Sequence, residues 1–278
     1  MASGALAMTA RAAVSRTPAA AVVSTLLLAA VCAVGVAAYL YPFLLADAPE
    51  SSVNPRSGDA PLLFALVLSL ALLLFVAELT RTGMNAKVVS LLAVVTVAAA
   101  VLRVPTLPAG ATGFFFMVIV AGYVFGPRLG FLVGAGALFV SAFAVGGFGP
   151  WLPFQIFATG WVGMTSGWLG LALQRPMRSH RRLELVLLAA FAGGWGMLFG
   201  AITNLWFWPY VAQGDSISWQ AGMGLGEAVS HYWSFYLLTS AGWDVWRAIG
   251  NVALVLAAGR PVLDLLTRYR DRFQVRFD

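Results

Sequence analysis

The fold of this chain is decided by long apolar stretches such as residues 61–80, which read PLLFALVLSLALLLFVAELT and hold one charged side chain, Glu78. About 20 apolar residues form a helix long enough to cross the hydrocarbon core of a bilayer. Hydrophobic residues make up 60% of the 278 positions and charged residues only 10%, whereas soluble domains carry about 25% charged residues. The sequence therefore predicts an all-α, polytopic membrane helical bundle. It argues against a water-soluble enzyme and excludes a disordered or fibrous protein.

The apolar stretches predict eight transmembrane helices. They run over about residues 19–45, 61–80, 86–104, 111–126, 128–147, 151–173, 185–210 and 235–259. Arg11 and Arg16 precede the first helix, as in a signal peptide, but the apolar run is longer than the usual signal core of about 7–15 residues. We therefore expect the first helix to be an uncleaved part of the bundle.

The distribution of basic residues predicts the orientation of these helices. Cytoplasmic loops of membrane proteins carry an excess of Lys and Arg. With the N-terminus inside, fourteen of the 17 basic residues fall in cytoplasmic segments: Arg11, Arg16, Arg81, Lys87, Arg128, Arg175, Arg178, Arg181, Arg182, Arg260, Arg268, Arg270, Arg272 and Arg276. We expect a multi-pass protein of the bacterial plasma membrane with both termini in the cytoplasm. The net charge of +6 reflects this asymmetry and predicts no nucleic-acid partner.

Three polar residues of the last predicted span share one helical face. Asp244, Arg247 and Asn251 stand three and four residues apart in GWDVWRAIGN, residues 242–251. A charged side chain at mid-bilayer costs about 2.5–3.5 kcal/mol, so we expect these residues to face the bundle interior and not lipid. Two interpretations follow: they line a substrate cavity, or they form an internal ion pair that fixes the register of two helices.

The loop after the fifth predicted span has the most distinctive local sequence, GGFGPWLPFQ over residues 146–155. Glycine and proline at this density end both flanking helices. Irregular backbone is tolerated at membrane depth only where protein or a water-filled cavity satisfies it. The pattern favours a binding or gating loop over a plain helix hairpin. The loop would comprise Gly146, Gly147, Phe148, Gly149 and Pro150, with Trp151 and Gln155 facing an outer cavity.

The external segments are rich in aromatic residues, and seven of the 10 tryptophans fall in the predicted outer half. Asn204, Trp206 and Trp208 end the seventh span, and two tryptophans two residues apart point to different helix faces, so at least one is expected to look inward. An interfacial belt and an aromatic pocket for a planar ligand are both open. Residues 211–234 are predicted to pack back over the bundle, whereas residues 46–60 are interpreted as a solvated linker.

Small residues predict close helix packing. They recur at spacing four in three spans: Gly130 and Gly134, Gly163 and Gly167, Gly196 and Gly200. Such pairs let helices approach closely. The third span, with Ala93 and the alanines at 98–100, presents a smooth face for a partner helix.

The sequence offers no enzymatic site. It contains no P-loop, so the chain cannot itself hydrolyse ATP, and no GxSxG or HExxH motif. His231 and Glu227 stand at helical spacing, but a surface contact is the simpler interpretation. Cys32 lies in an apolar run and is expected to be a small core residue. We predict no catalytic residue, no metal site and no cofactor.

Four distinctive sequence motifs follow one another along the chain. They are GYVFGPRLG at 122–130, GGFGPWLPFQ at 146–155, NLWFWP at 204–209 and GWDVWRAIGN at 242–251. Together they resemble the actinobacterial substrate-specific (S) components of energy-coupling factor (ECF) transporters. The resemblance extends over about residues 60–262.

The resemblance implies a six-helix core with an outward-facing vitamin site, which we place at residues 86–262. It also implies a transmembrane coupling (T) subunit and two cytoplasmic ATPase subunits as partners, and transport by toppling of the S component in the bilayer. Two extra N-terminal helices depart from the family. Residues 1–60 would form a cytoplasmic tail, the first helix and an external linker; residues 61–85 the second extra helix; and residues 263–278 a basic cytoplasmic tail.

The expected function is therefore to capture a vitamin from outside for ATP-driven uptake. Cobalamin is the first expectation, because the resemblance is to cobalamin-type members and the outer half is aromatic; riboflavin, thiamine, hydroxymethylpyrimidine and a queuosine precursor remain open. The pocket would be lined by Trp151, Gln155, Asn204, Trp208, Asp244, Arg247 and Asn251. Two other classes stay open: a membrane-embedded transferase acting on lipid-linked substrates, and a non-transporting assembly subunit.

Overall fold

A computed structural model describes residues 18–44, 56–82, 84, 86–106, 111–174, 176–177, 179–210 and 216–272. These residues contain nine α-helices and no strand: α1 Pro18–Leu40, α2 Ala60–Thr82, α3 Ala86–Val101, α4 Phe114–Phe125, α5 Pro127–Val145, α6 Leu152–Leu173, α7 Arg181–Asn204, α8 Leu225–Thr239 and α9 Ala241–Arg272. Short 3₁₀ turns follow α1 and α7, at Tyr41–Leu44 and Trp208–Tyr210. Of the predicted cytoplasmic arginines, the described ranges leave out Arg11, Arg16, Arg175, Arg178 and Arg276.

The helical bundle agrees with the predicted fold class, while the count of eight spans stays a prediction. Six of the described helices, α1, α2, α5, α6, α7 and α9, are long and apolar enough to cross a membrane. Helices α3 and α4 are also apolar but have only 16 and 12 residues. The structure therefore supports a polytopic membrane protein.

The last predicted span, residues 235–259, has the wrong bounds. Its first residues belong to α8, which ends at Thr239, because Ser240 leaves the helical conformation. Helix α9 then continues through Pro261 to Arg272. The Arg260–Asp264 ion pair at 2.8 Å spans the turn that contains the proline, and this contact stabilises the helix beyond the predicted end.

Helix α4 is the centre of the bundle, and glycines set how closely α5 and α6 approach it. Eleven of its 12 residues are buried. A methyl group on Gly122 or Gly130 would overlap the backbone carbonyl of Gly163, and one on Gly163 would overlap that of Gly130. Helix α5 begins at Pro127 and ends at Val145, and the following Gly146 adopts the left-handed conformation typical of a helix C-terminus. The predicted close packing at Gly130 and Gly163 is confirmed.

The N-terminal helix pair, α1 and α2, is packed on the core along its length. Gly35 of α1 lies against the rings of Phe157 and Trp161, which a side chain there would meet at 2.8 Å. Near the end of α1, the Tyr39 hydroxyl donates to the Phe154 carbonyl at 2.8 Å. Both contacts reach α6, so the extra helices are an integral part of the bundle.

The opposite end of the pair is fixed by a buried carboxylate. Glu78 of α2 is fully buried and ion-pairs with Arg81 at 2.9 Å and with Arg128, at the start of α5, at 3.5 Å. It also accepts a hydrogen bond from Ser24 of α1. This carboxylate therefore joins α2 to both α1 and α5.

The helix ends form two faces of the bundle. The arginine end contains Glu78, Arg128, Arg181, Arg260 and Arg270. The aromatic end contains Tyr39, Phe154, Trp206, Trp208 and Trp219. This separation matches the asymmetry on which the predicted orientation rests.

Candidate ligand-binding site

The α7–α9 interface holds the acidic and basic residues of the predicted site. Asp244 is 1% exposed and lies where a side chain of Gly200 would otherwise be, since a methyl group there would overlap the carboxylate. Arg247 forms an ion pair with Asp244, and its Nη1 donates to the Gly196 carbonyl at 3.2 Å. The glycine pair of α7 therefore provides both the space and a backbone acceptor for the ion pair on α9.

Asn251 extends the same contact two turns into α9. It is buried, and its Nδ2 donates to the Ala192 carbonyl at 3.2 Å. The prediction that Asp244, Arg247 and Asn251 share one face is confirmed. Because this face is packed on α7, the geometry favours a register-fixing role for Asp244 and Asn251.

Arg247 is the member of this group that retains access to a ligand. Its side chain is 25% exposed. The guanidinium lies 5.3 Å from the centre of the Phe199 ring and 5.8 Å from that of Phe115, at the start of α4. A cation held over aromatic faces and partly open to its surroundings can bind an acceptor group without first breaking its own contacts.

A second arginine, Arg103, also lies near the start of α4. Arg103 lies 5.9 Å from the Phe114 ring and donates to Ser141 at 2.9 Å. The first two residues of the central helix, Phe114 and Phe115, are thus flanked by two guanidinium groups. Local sequence does not reveal this contact, because Ser141 is 38 residues away from Arg103 along the chain.

The predicted gating loop is a compact turn between α5 and α6. The Trp151 ring packs over Gly149, where a side chain would overlap it. Phe148 makes an edge-to-face contact with Phe143 of α5, with ring centres 4.9 Å apart. The loop, residues 146–150, therefore lies on α5 and beneath the half-exposed Trp151 ring; movement of the loop stays a prediction.

Gln155 is placed in the first turn of α6 as expected. It is half-buried, and in the described part of the chain no hydrogen bond to its amide is found. The neighbouring Phe154 stacks on Trp206 with ring centres 5.8 Å apart. This stack joins the start of α6 to the segment that follows α7.

Asn204 and Trp208 are held by neighbours from the long loop and from α8. The Asn204 amide donates to the Ser240 hydroxyl at 2.5 Å, across the junction of α8 and α9. Trp208 is buried, and its indole N–H donates to the Ile217 carbonyl at 2.9 Å. The expectation that one tryptophan of this segment faces inward is confirmed. Since its N–H already has a partner, Trp208 offers a ligand only its ring.

Trp208 belongs to the loop cluster, which we define as Trp208, Trp219 and Phe235 with the residues packed on them. Tyr232 and Phe43 are among these, with ring centres 4.9 and 5.7 Å from that of Trp208. The described part of the long loop thus packs back on the bundle, as predicted. It also contains helix α8, which the sequence analysis did not identify.

The seven predicted site residues fall into three groups at or near the aromatic end. Asp244, Arg247 and Asn251 lie between α7 and α9; Trp151 and Gln155 lie at the start of α6; Asn204 and Trp208 lie after α7. The Phe154–Trp206 stack connects the second and third groups. Their shared contact with one ligand stays a prediction.

One charged pair was missed. Arg56 and Asp59 fall in the predicted solvated linker, yet the Arg56 side chain is fully buried. Its Nε and Nη2 donate to Asp59 Oδ2 at 3.1 and 2.9 Å. The interpretation of residues 46–60 as wholly solvated is therefore wrong at Arg56. The available signal was the spacing of three between opposite charges just before an apolar helix.

Metal binding and acid–base chemistry have no support in the geometry. Nowhere in the described ranges do three His, Cys, Asp or Glu side chains group to hold a metal ion. His231 Nδ1 lies 2.9 Å from the Ser218 carbonyl oxygen, and no hydrogen bond joins it to Glu227. Cys32 is half-buried with its Sγ 3.7 Å from Met164 Sδ, as expected for a core residue.

The comparisons with known proteins bear on this arrangement. A family model described as "ECF transporter, substrate-specific component" matches residues 87–258. The match begins in α3 and ends in α9, so it contains all seven predicted site residues and leaves α1 and α2 outside. No curated protein and no solved structure matches the chain.

Proposed function

This chain belongs to the family of substrate-specific components of ECF transporters, and we propose that it captures a vitamin, cobalamin first, from outside the cell for ATP-driven uptake. Membership makes it a substrate-binding membrane subunit that works with T and ATPase subunits, and a transporter component instead of an enzyme. The vitamin, the outward-facing site and the role of each partner are the proposed part.

The proposal rests on the chemistry gathered around the start of α4. The rings of Phe114 and Phe115 each lie beside a guanidinium group: Arg103 is 5.9 Å from the Phe114 ring, and Arg247 is 5.8 Å from the Phe115 ring. Ligand sites are mostly apolar, with a few polar groups that fix orientation. The Gln155 amide adds a donor and an acceptor at the same end of the bundle.

The proposed ligand is large and carries both apolar surface and hydrogen-bonding groups. Cobalamin fits this description, and the resemblance to cobalamin-type S components favours it. The arginine end contains most of the described basic residues, so the positive-inside rule favours an aromatic end that faces outward. The termini would then lie in the cytoplasm, and the site would be open to extracellular vitamin.

Helix α3 supplies the proposed contact with the T subunit. Its exposed face contains Ser90, Ala93, Val94 and Val97, whereas Ala99 is buried against the core. Small and β-branched residues make this face smooth, which suits close approach by a partner helix. The proposed coupling face is thus centred on Ala93 and Val97. It excludes Ala99 and Ala100, which are buried.

The transferase alternative has no observation in its favour. Its buried carboxylates would have to be paired with one another, but Glu78 and Asp244 lie at opposite ends of the bundle and each is ion-paired with arginine. The assembly-subunit alternative predicts that Asp244 and Arg247 affect stability alone, which mutagenesis can test.

Purified protein in detergent tests the proposal directly. Intrinsic tryptophan fluorescence and melting temperature are measured with cyanocobalamin, riboflavin, thiamine and hydroxymethylpyrimidine, each added singly. A ligand at 100 times its Kd should stabilise the folded state by about 2.7 kcal/mol. We expect cyanocobalamin to quench fluorescence and raise the Tm. A folded sample that responds to none of these compounds would contradict the proposed function.

A further inference from the structure

Arg56 precedes α2, outside the region that matches the family, and reaches the aromatic end of the core. Its guanidinium lies 4.2 Å from the centre of the Phe154 ring and 4.8 Å from that of Tyr41. Phe154 stacks on Trp206 and immediately precedes Gln155 in α6. The segment before α2 therefore brings a charged side chain to the aromatic end, against the residue that precedes Gln155 of the proposed vitamin site.

One nitrogen of the Arg56 guanidinium is not hydrogen-bonded to Asp59. Asp59 Oδ2 accepts from Nε and Nη2, and also from the Tyr41 hydroxyl. Nη1 is buried and has no hydrogen-bond partner within the described ranges. A buried donor without a partner costs about 1–3 kcal/mol, and more when it is charged, so such a group in a native protein requires a physical explanation.

The backbone at Arg56 is strained as well. Its φ of 62° is in the left-handed region, which a residue with a long side chain seldom adopts. Such conformations persist where the surrounding structure imposes them, and they are frequent at ligand-binding sites. The Arg56 carbonyl accepts from the Ala60 amide at 3.0 Å, so the strained turn also starts α2.

The net charge of the Arg56–Asp59 pair determines which kind of acceptor Nη1 can bind. Asp59 already neutralises Arg56, so a phosphate or carboxylate at Nη1 would be buried without a full counter-charge. A neutral acceptor oxygen has no such cost. We propose that Arg56 is a ligand-binding residue whose Nη1 donates to an amide or ring carbonyl of the transported vitamin, an inference that rests on the proposed function.

This assignment divides the candidate vitamins by their chemistry. Cobalamin has amide groups around its corrin ring, and riboflavin has carbonyls on its ring system. Thiamine and hydroxymethylpyrimidine have no carbonyl group. The carbonyl-bearing compounds should therefore be the ones that bind.

The experiment measures Kd by tryptophan fluorescence for wild type and Arg56 variants, with cyanocobalamin and riboflavin as probes and thiamine as the carbonyl-free comparison. Arg56→Lys lacks the second donor nitrogen, and the double variant Arg56→Gln/Asp59→Asn removes both charges together, which avoids an unpaired buried charge. We expect both to raise Kd roughly tenfold to hundredfold, as for loss of a hydrogen bond to a charged group. The melting temperature without ligand shows that each variant is folded.

Arg128→Lys is the matched control, because it weakens attachment of the same helix pair at the opposite end. Its Kd should equal that of wild type. An unchanged Kd in the folded double variant, an equal loss in Arg128→Lys, or binding of thiamine alone would each overturn the role of Arg56 and leave the proposed function standing. Failure of wild type to bind any of the probes would overturn the proposed function, and this inference with it.

Discussion

Gly200 on α7 lies directly against the Asp244 carboxylate on α9, so the absent side chain of the glycine makes the space that the carboxylate fills. We expect Gly200→Ala to destabilise the protein by about 1–3 kcal/mol, as is typical of overpacking. Thermal unfolding in detergent measures this change. Gly194→Ala, on the same helix with nothing within 4 Å of the added methyl, should not lower the Tm, since alanine is the better helix former; an equal loss in both variants would argue against the packing explanation.

Variants of the Asp244–Arg247 ion pair can distinguish a structural role from a ligand-binding role. Asp244→Asn or Arg247→Gln alone should destabilise the fold by about 3–5 kcal/mol, because each leaves a largely buried charge without its partner. The double variant should recover most of this loss, while its vitamin affinity stays at least roughly tenfold lower, since the exposed guanidinium is gone. Recovery of both stability and affinity would favour the assembly-subunit interpretation.

Gln155, in the first turn of α6, and Gln174, just after its last residue, should respond differently to replacement by leucine. Gln155 is half-buried without a hydrogen bond in the described structure, so Gln155→Leu should weaken vitamin binding roughly threefold to tenfold without lowering the Tm. Gln174 accepts from Arg270 at 2.8 Å and donates to the Tyr123 carbonyl. Gln174→Leu should instead lower the Tm and leave affinity unchanged. Fluorescence titration and thermal unfolding of both variants check this contrast.

Glu78 fixes the N-terminal helix pair to α5. Glu78→Gln leaves Arg81 and Arg128 without their carboxylate and should cost about 3–5 kcal/mol of stability. Unfolding in detergent provides the measurement, with Glu227→Gln on the exposed face of α8 as the control. If the two variants unfold at the same temperature, the ion pair does not stabilise the attachment.

The exposed face of α3 should matter for transport and not for binding. Val97→Trp would roughen the proposed contact with the T subunit, so we expect uptake by the complete transporter to fall severalfold while the Kd of the isolated chain is unchanged. Val22→Trp places the same side chain on an exposed position of α1 and should leave uptake intact. Normal uptake by the Val97 variant would place the coupling face elsewhere.

Apolar length was enough to predict most of the helices, because lipid requires every backbone group to be bonded within its own segment. It was not enough for α8, whose 15 mixed polar and aromatic residues do not form an apolar run of membrane-spanning length. It also missed the continuation of α9 past Pro261, where the Arg260–Asp264 pair supports the helix. The spacing of four between these opposite charges was the signal that could have predicted the continuation.

The shared face of Asp244, Arg247 and Asn251 was predicted correctly, because one helix carries the whole pattern. The pattern did not show what that face meets. Arg103 and Arg56 acquire their surroundings from Phe114 and Phe154, which are distant in sequence. Arg56 was interpreted as solvated because its neighbours along the chain are Pro and Ser, whereas its contact with Phe154 is distant in sequence.

Helices α1 and α2 are attached to the core at both ends of the pair, which determines how much of the protein would move together. Tyr39 holds it to α6 at one end and Glu78 holds it to α5 at the other. If the family's toppling motion applies here, the two extra helices rotate as one rigid body with the core. The protein then sweeps a wider annulus of lipid than a six-helix relative would, so bilayer thickness and lateral pressure should affect its turnover more strongly.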